Sequence, residues 1–361
     1  MTLDNWLERY DEQDWKTQSE GTVRYALVGL GWWTTDVAIP AIEASSLCEV
    51  TTLVSSSKEK AERIAQTSDV ETGITYDEFH DGVAADEYDV VYIATPNAYH
   101  LEYAETAARL GKGVLCEKPM EADVERAERM VDACDTADVP LMVAYRMQTE
   151  PAVRRARELV ESGFIGDPVY VYGNNSQPLL EMIPDPDQWR LNPDLTGYGT
   201  SVMDLGIYSI NTARFLLDRD PRSVQAQLYS EHEAFEGLDD ERASFMLDFG
   251  DGIQMVSTAS QNAQQDTMLR ITGTEGQLEL SPAFHGECQL HVKKGDLSVD
   301  VEHTELDEVD EMEYEFDYFA DRLLGDAEIH PDGEHGLFDM TVVEAIHRSD
   351  ETGERVEIET R

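Results

Sequence analysis

Between Val23 and Arg146 the sequence alternates apolar, β-branched runs with amphipathic stretches, a pattern that is satisfied by a parallel sheet flanked by helices. VRYALVGLG (23–31) reads as a strand entering a glycine turn, DVAIPAIEAS as a helix, and CEVTTLVSSS (48–57) as a second strand. KEKAERIAQTS is helical, DVVYIATP (89–96) is a strand stopped by proline, and HLEYAETAARLG is a helix closed by glycine. GVLCEKP (113–119), VERAERMVDACDTAD and PLMVAYR (140–146) continue the series. The expected class is α/β, with a doubly wound Rossmann domain over residues 22–146 whose ligands lie at the carboxyl ends of its strands.

From residue 147 the pattern changes. PAVRRARELVESG reads as a helix and PVYVYGNN as a strand, followed by a Pro/Asn-rich loop, a helix near 201–217 and alternating strands between 222 and 302. Their Gly-containing turns suit hairpins, so residues 147–361 are expected to form an α+β domain with a large open, mostly antiparallel sheet. Helices return at YEFDYFADRLLGD and HGLFDMTVVEAIHRSDETG, and the C-terminal helix is expected to pack back on the Rossmann domain. Ahead of both domains, residues 1–21 place Trp6, Leu7, Tyr10 and Trp15 at roughly helical spacing, an arm that packs on its own chain or a neighbouring subunit.

Charge narrows the partners. Against 75 acidic residues stand 27 basic ones, a formal net charge of -48, which repels nucleic acid and anionic membranes. The acids are spread among ordinary apolar segments, as on a folded protein with an acidic shell, and lysine occurs only at 16, 58, 60, 112, 118, 293 and 294. Such a shell repels itself in dilute buffer and is screened in molar salt, so the composition fits the cytoplasm of a halophile. Activity is expected to fall on dialysis to low salt, and full retention there would remove this reading. The four cysteines match no metal or CxxC spacing, no apolar run is long enough to span a bilayer, and the acidic N-terminus is unlike a signal peptide. The expected location is cytoplasmic, and no metal is assigned.

The turn GLGWWTTDVAIP (29–40) begins as a phosphate-binding turn. Gly29 and Gly31 permit backbone N–H groups to approach a pyrophosphate at a helix N-terminus, and Thr34 stands where a packing glycine is usual. At the end of the second strand, where an acid holds the ribose hydroxyls in NAD sites, the sequence reads Val54-Ser55-Ser56-Ser57-Lys58. Hydroxyls and a cation there favour a 2′-phosphate, hence NADP; the alternative is a solvated first helical turn. Glu117-Lys118-Pro119 ends a later strand, where a lysine could bind a substrate hydroxyl and lower a neighbouring pKa, or simply form a surface turn.

ATPNAYH (94–100), CEKP, AYR (144–146), DQWRLNP (187–193) and MDLGIYSIN (203–211) occur in order and spacing that resemble the glucose-fructose oxidoreductase/inositol dehydrogenase (Gfo/Idh/MocA) family, from Val23 to the C-terminal helix. The resemblance implies that Lys118 is catalytic. It also implies a cofactor site of Gly29, Leu30, Gly31, Trp32, Trp33, Ser55, Ser56 and Lys58 in the first two strand ends. Thr95, Pro96, Asn97 and His100, then Glu117, Lys118 and Arg146, complete it, with Trp189 and Arg190 closing over cofactor or sugar. Where the family usually has Asp and His four residues apart, this chain has Asp204 and Tyr208, which resembles the aldose dehydrogenase branch. Asp204 also fits a capping box with Ser201, Tyr208 a helix core, and Trp189-Arg190 a loop anchor.

The resemblance implies NADP-dependent oxidation of an aldopyranose at C1 to the lactone. Tyr208, its pKa lowered by Lys118, would accept the proton, Asp204 would orient the sugar, and Asn175, Arg190 and Asn192 would bind the rest. D-xylose is the expected sugar; because no residue pattern measures sugar size, D-glucose and L-arabinose stay open. A sugar oxidoreductase with tightly bound NADP and a non-catalytic NADP-sensing regulator are the alternatives. A homodimer or homotetramer through the open sheet is expected.

Overall fold

A computed structural model describes residues 13–17, 19–301 and 308–359. Trp6, Leu7 and Tyr10 of the expected arm lie outside the described residues; Trp15 is buried and meets the Tyr318 ring edge-on at 5.4 Å. The chain divides into two compact units, Trp15–Arg146 with Glu308–Met340, and Met1–Asp14 with Met147–Asp307 and Thr341–Arg361. Glu308–Met340, expected in the second domain, thus clusters with the first unit.

The first unit holds a parallel sheet of β1 (Val23–Val28), β2 (Cys48–Ser55), β3 (Thr72–Thr75), β4 (Val90–Ile93), β5 (Gly113–Glu117) and β6 (Leu141–Ala144). Its order is β3-β2-β1-β4-β5-β6. The strand order reverses at β1, so the crevice for a ligand opens outside the carboxyl ends of β1 and β4. Tyr25 on β1 and Tyr92 on β4 are fully buried, and both meet Phe316 of the helix Glu308–Gly325 edge-on, at 5.4 and 5.1 Å. Burial of a ring of that size stabilises by about 2–3 kcal/mol, which accounts for that helix belonging to this unit.

After β1 the chain makes a π turn over Thr34–Ala38 that continues as the helix Ile39–Ala44. Pro40 has no N–H for the carbonyl four residues back; the turn widens, and the Ile39 N–H reaches the Thr34 carbonyl instead.

The second unit carries β7 (Pro168–Pro178), β8 (Ser223–Tyr229), β9 (Arg242–Gly250), β10 (Ile253–Ser260), β11 (Asn262–Gly273), β12 (Gln277–Leu280), β13 (Leu290–Lys294), β14 (Leu297–Val301) and β15 (Val356–Glu357). They form one sheet, β14-β13-β12-β11-β7-β10-β9-β8-β15, antiparallel except where β7 meets β10. The helix Ile207–Leu217, buried at every residue, packs on β7, where a methyl on Gly173 would stand 2.8 Å from Ser209 Oγ. The other face is open: along β9 and β10 alternate residues are exposed, Met246 and Val256 among them. Val256 pairs across strands with Met246 and Tyr172, and the Arg270 guanidinium lies 4.8 Å over the Tyr172 ring. Among the described residues no helix is long and apolar enough to cross a membrane.

Candidate functional site

The sequence-predicted residues fall into two sets, one on each unit. On the first unit, Gly29 has φ +94°, and a methyl there would stand 2.6 Å from the Ala94 carbonyl oxygen, so the crossing of β1 and β4 chains requires glycine. A methyl on Gly31 would meet nothing within 4 Å, which leaves the space over the turn open to a phosphate. Thr34 is buried and donates from Oγ1 to the Gly29 carbonyl at 2.5 Å, so it fastens the turn as well as filling the packing position. Open space over the β1 turn, exposed Ser56 and the Lys58 ammonium at the β2 end together fit a phosphorylated dinucleotide.

The two tryptophans divide. Trp32 is 52% exposed, whereas Trp33 turns inward and donates from Nε1 to Tyr92 Oη and Glu117 Oε1, both at 3.1 Å. Tyr92 Oη donates to the same Glu117 oxygen at 2.7 Å, and Glu117 Oε2 accepts the Lys118 backbone N–H at 3.1 Å. Burial first, and then the Glu117 charge, pushes the Tyr92 phenol well up, so it stays a donor. Glu117 therefore shapes the backbone that presents Lys118. Leu30 is buried beside this turn, in the core of the unit.

Several expected cofactor contacts are reassigned. Arg146 is 4% exposed, pairs through Nε with Glu311 at 3.0 Å and lies 5.2 Å over the Trp33 ring, so it supports the tryptophan from within the protein. Ser55 is buried at the end of β2, which leaves Ser56 as the accessible hydroxyl. His100 is buried and bridges the Thr95 carbonyl at 2.8 Å and the Met120 carbonyl at 3.3 Å, joining the loop after β4 to that after β5. Thr95 and Pro96 remain partly exposed in that loop, while Asn97 is buried. Below, Glu315 is fully buried with no hydrogen-bond partner among the described residues; burial and then the Glu117 charge push its carboxyl well up.

On the second unit, Asp204 lies in a second π turn, Val202–Gly206, that leads into the helix bearing Tyr208. Its Oδ2 accepts from Arg190 Nε and Gln261 Nε2, each at 2.9 Å. The capping-box alternative fails, because capping comes from Asp240: its Oδ1 accepts the Thr200 N–H at 2.6 Å and its Oδ2 the Val202 N–H at 2.8 Å. Ser201 Oγ donates to the Glu241 carbonyl and accepts the Gln261 N–H, both at 2.9 Å. Arg190 also stacks 4.5 Å from the Trp189 ring, so these two residues form one planar pair anchored on Asp204.

Tyr208 is 8% exposed, its ring 5.7 Å from Phe284 and 5.2 Å from His285. Asn175, expected on the sugar, is fully buried and donates to the Leu205 carbonyl at 3.2 Å; it holds the π turn. Asn192 is exposed, but its Oδ1 caps the helix Pro193–Thr196 by accepting the Asp194 N–H at 3.0 Å. Gln261, Asp240 and His285 escaped the sequence reading. Each arrives from a strand junction with no periodicity that ties it to the Asp204 helix; SQNAQQ around Gln261 reads only as a polar turn.

Residues 23–145 match the oxidoreductase family with an NAD-binding Rossmann fold, and residues 153–279 match the GFO/IDH/MocA C-terminal domain. The chain is 50% identical to the D-xylose 1-dehydrogenase [NADP(+)] of Haloarcula marismortui over 99% of this chain and 100% of that protein. With the D-xylose 1-dehydrogenase (NADP(+)) 2 of Haloferax volcanii it shares 32% over 89% of this chain and 95% of that one. The crystal structure of the aldose-aldose oxidoreductase of Caulobacter crescentus complexed with glycerol superposes with a TM-score of 0.86 at 29% identity, covering 93% of this chain and 99% of that one.

Proposed function

Because the chain belongs to the GFO/IDH/MocA oxidoreductase family, we propose that it oxidises an aldopyranose at C1 with NADP, D-xylose giving D-xylonolactone. The observation that carries this reading is the 50% identity, end to end, with the Haloarcula enzyme. NADP, when bound, supplies the acceptor for the hydride that leaves C1. Tyr208 takes the proton of the anomeric hydroxyl at its phenolic oxygen, and the Lys118 ammonium hydrogen-bonds a substrate oxygen. Asp204, oriented by Arg190 and Gln261, accepts from the sugar hydroxyls. Lys58 provides the cation for the 2′-phosphate.

A panel of aldoses with NADP and with NAD in molar salt, followed by nicotinamide absorbance, tests this. D-xylose with NADP is expected to give the highest kcat/KM; a much higher value with NAD would remove the 2′-phosphate assignment. The likeness to the Caulobacter aldose-aldose oxidoreductase supports a second reading, in which the cofactor stays bound between two sugars. Co-purified NADP and turnover without added cofactor would select it.

The exposed Met246 and Val256, in register with the half-buried Tyr172, support a dimer or tetramer through the open sheet. A one-chain mass by light scattering in molar salt would exclude it. The acidic composition supports a salt-rich cytoplasm as the working compartment.

A further inference from the structure

The sequence offers no carboxylate at the end of β2, where NAD sites use one, but the fold brings one there from the helix that follows the neighbouring strand. Ser55 and Thr75, the last residues of β2 and β3, are paired in register. Two residues beyond Ser55, Ser57 caps the helix Lys58–Thr67 by accepting the Lys60 N–H, so Lys58 is the first residue of that helix. Beyond Thr75, the helix Tyr76–His80 opens with a capping box: Thr75 Oγ1 accepts the Glu78 N–H at 3.1 Å, and Glu78 Oε2 accepts the Thr75 N–H at 2.8 Å. That box fixes the Glu78 carboxylate, which grips the Lys58 ammonium at 3.1 Å through Oε1 and 2.9 Å through Oε2. The two elements cannot drift apart easily, since a methyl on Gly73 of β3 would stand 2.8 Å from the Ala61 backbone of the Lys58 helix.

We propose that Glu78 is a cofactor-specificity residue: its carboxylate offsets the Lys58 charge at the ribose end of the site and so limits the preference for a 2′-phosphate over a 2′-hydroxyl. The inference rests on the assignment of Lys58 to the 2′-phosphate. Physically, a phosphate dianion meets a neutral ion pair where it would otherwise meet a lone ammonium, and a carboxylate repels it. A ribose hydroxyl has no such penalty and gains an acceptor. Lys58 and the Thr75 amide both hold the Glu78 carboxyl below its ordinary value, so the offsetting charge persists at neutral pH. Lys58 and Glu78 are each partly exposed, at 39% and 37% of their side chains, so the effect is moderate and depends on salt.

The test is a fluorescence titration of NADPH and NADH onto wild type, Glu78→Gln and Lys58→Met, at two salt concentrations that keep the protein folded. Glutamine keeps the capping box while removing the charge. Glu78→Gln is expected to raise the Kd ratio in favour of NADPH by about two- to fivefold, with the smaller gain at the higher salt. Lys58→Met is expected to lower that ratio. If Lys58→Met lowers it while Glu78→Gln leaves it unchanged or lower, Glu78 serves only to place the lysine and the proposal is overturned. If neither variant moves the ratio, the 2′-phosphate lies elsewhere and both the Lys58 assignment and the proposal fall.

Discussion

Replacing Tyr208 by phenylalanine is expected to lower kcat by about a hundred- to ten-thousand-fold in molar salt, with NADPH binding largely unchanged. The substitution is clean because the ring is held by Phe284 and His285 at 5.7 and 5.2 Å, contacts that phenylalanine keeps. Only the phenolic oxygen goes, so a loss of turnover without a loss of thermal stability isolates the proton acceptor. Lys118→Ala is expected to act as strongly. The backbone at Lys118 is fixed by Glu117 Oε2, and Glu117 in turn by Trp33 and Tyr92, none of which involves the ammonium. A drop of that size corresponds to about 3–5 kcal/mol of barrier, more than one exposed ion pair contributes and in keeping with a group that acts on charge developing at the reacting oxygen. Turnover near wild type in either variant would take that residue out of the mechanism.

The sheets were legible because burial enforces period: β1, β4 and β5 are buried on both faces and read as continuous apolar runs, while β9 and β10 alternate. β3 was not singled out, since TGIT is four residues long and its glycine answers to a neighbouring helix, beyond the reach of local pattern. Gly29 was readable from its place between an apolar strand and a helix, while Lys118 and Tyr208 were singled out by the family resemblance. Their supports were not. Asp204 met Gln261 across 57 residues of sequence and Trp33 met Glu117 across 84, and no local propensity encodes such pairs. The same gap explains the reassigned residues: Arg146 and Asn175 have side chains suited to ligands, and only burial and partners such as Glu311 and Leu205 reveal that they hold the protein's own groups. Lys58 is the subtler case, a cation whose opposing charge comes from the helix after the next strand.

Gly199→Ala is expected to destabilise the second unit by about 2–4 kcal/mol and to reduce turnover beyond what the lost stability explains. A methyl there would stand 2.4 Å from Asp240 Oδ1 and 2.7 Å from Oδ2, and that carboxyl is fully buried, with no solvent to retreat into. Displacing it strips the Thr200 and Val202 amides of their acceptor at the start of the turn that carries Asp204. Burial pushes the Asp240 carboxyl up to about 7, against the pull of the Val202, Thr200 and Ser201 amides. A carboxyl raised in the folded state from 3.8 favours folding most when protonated, so its share of stability is full below about pH 4 and is lost as pH rises through about 7. Asp240→Asn, which cannot ionise, is expected to lose that pH dependence, at the cost of an amide donor facing one of the N–H groups. Chemical denaturation across this pH window in molar salt measures both effects. An unchanged midpoint in Gly199→Ala would mean that the carboxyl has room to move, and that the contacts of Ser201 with Gln261 and Glu241 suffice to hold the start of the Asp204 turn.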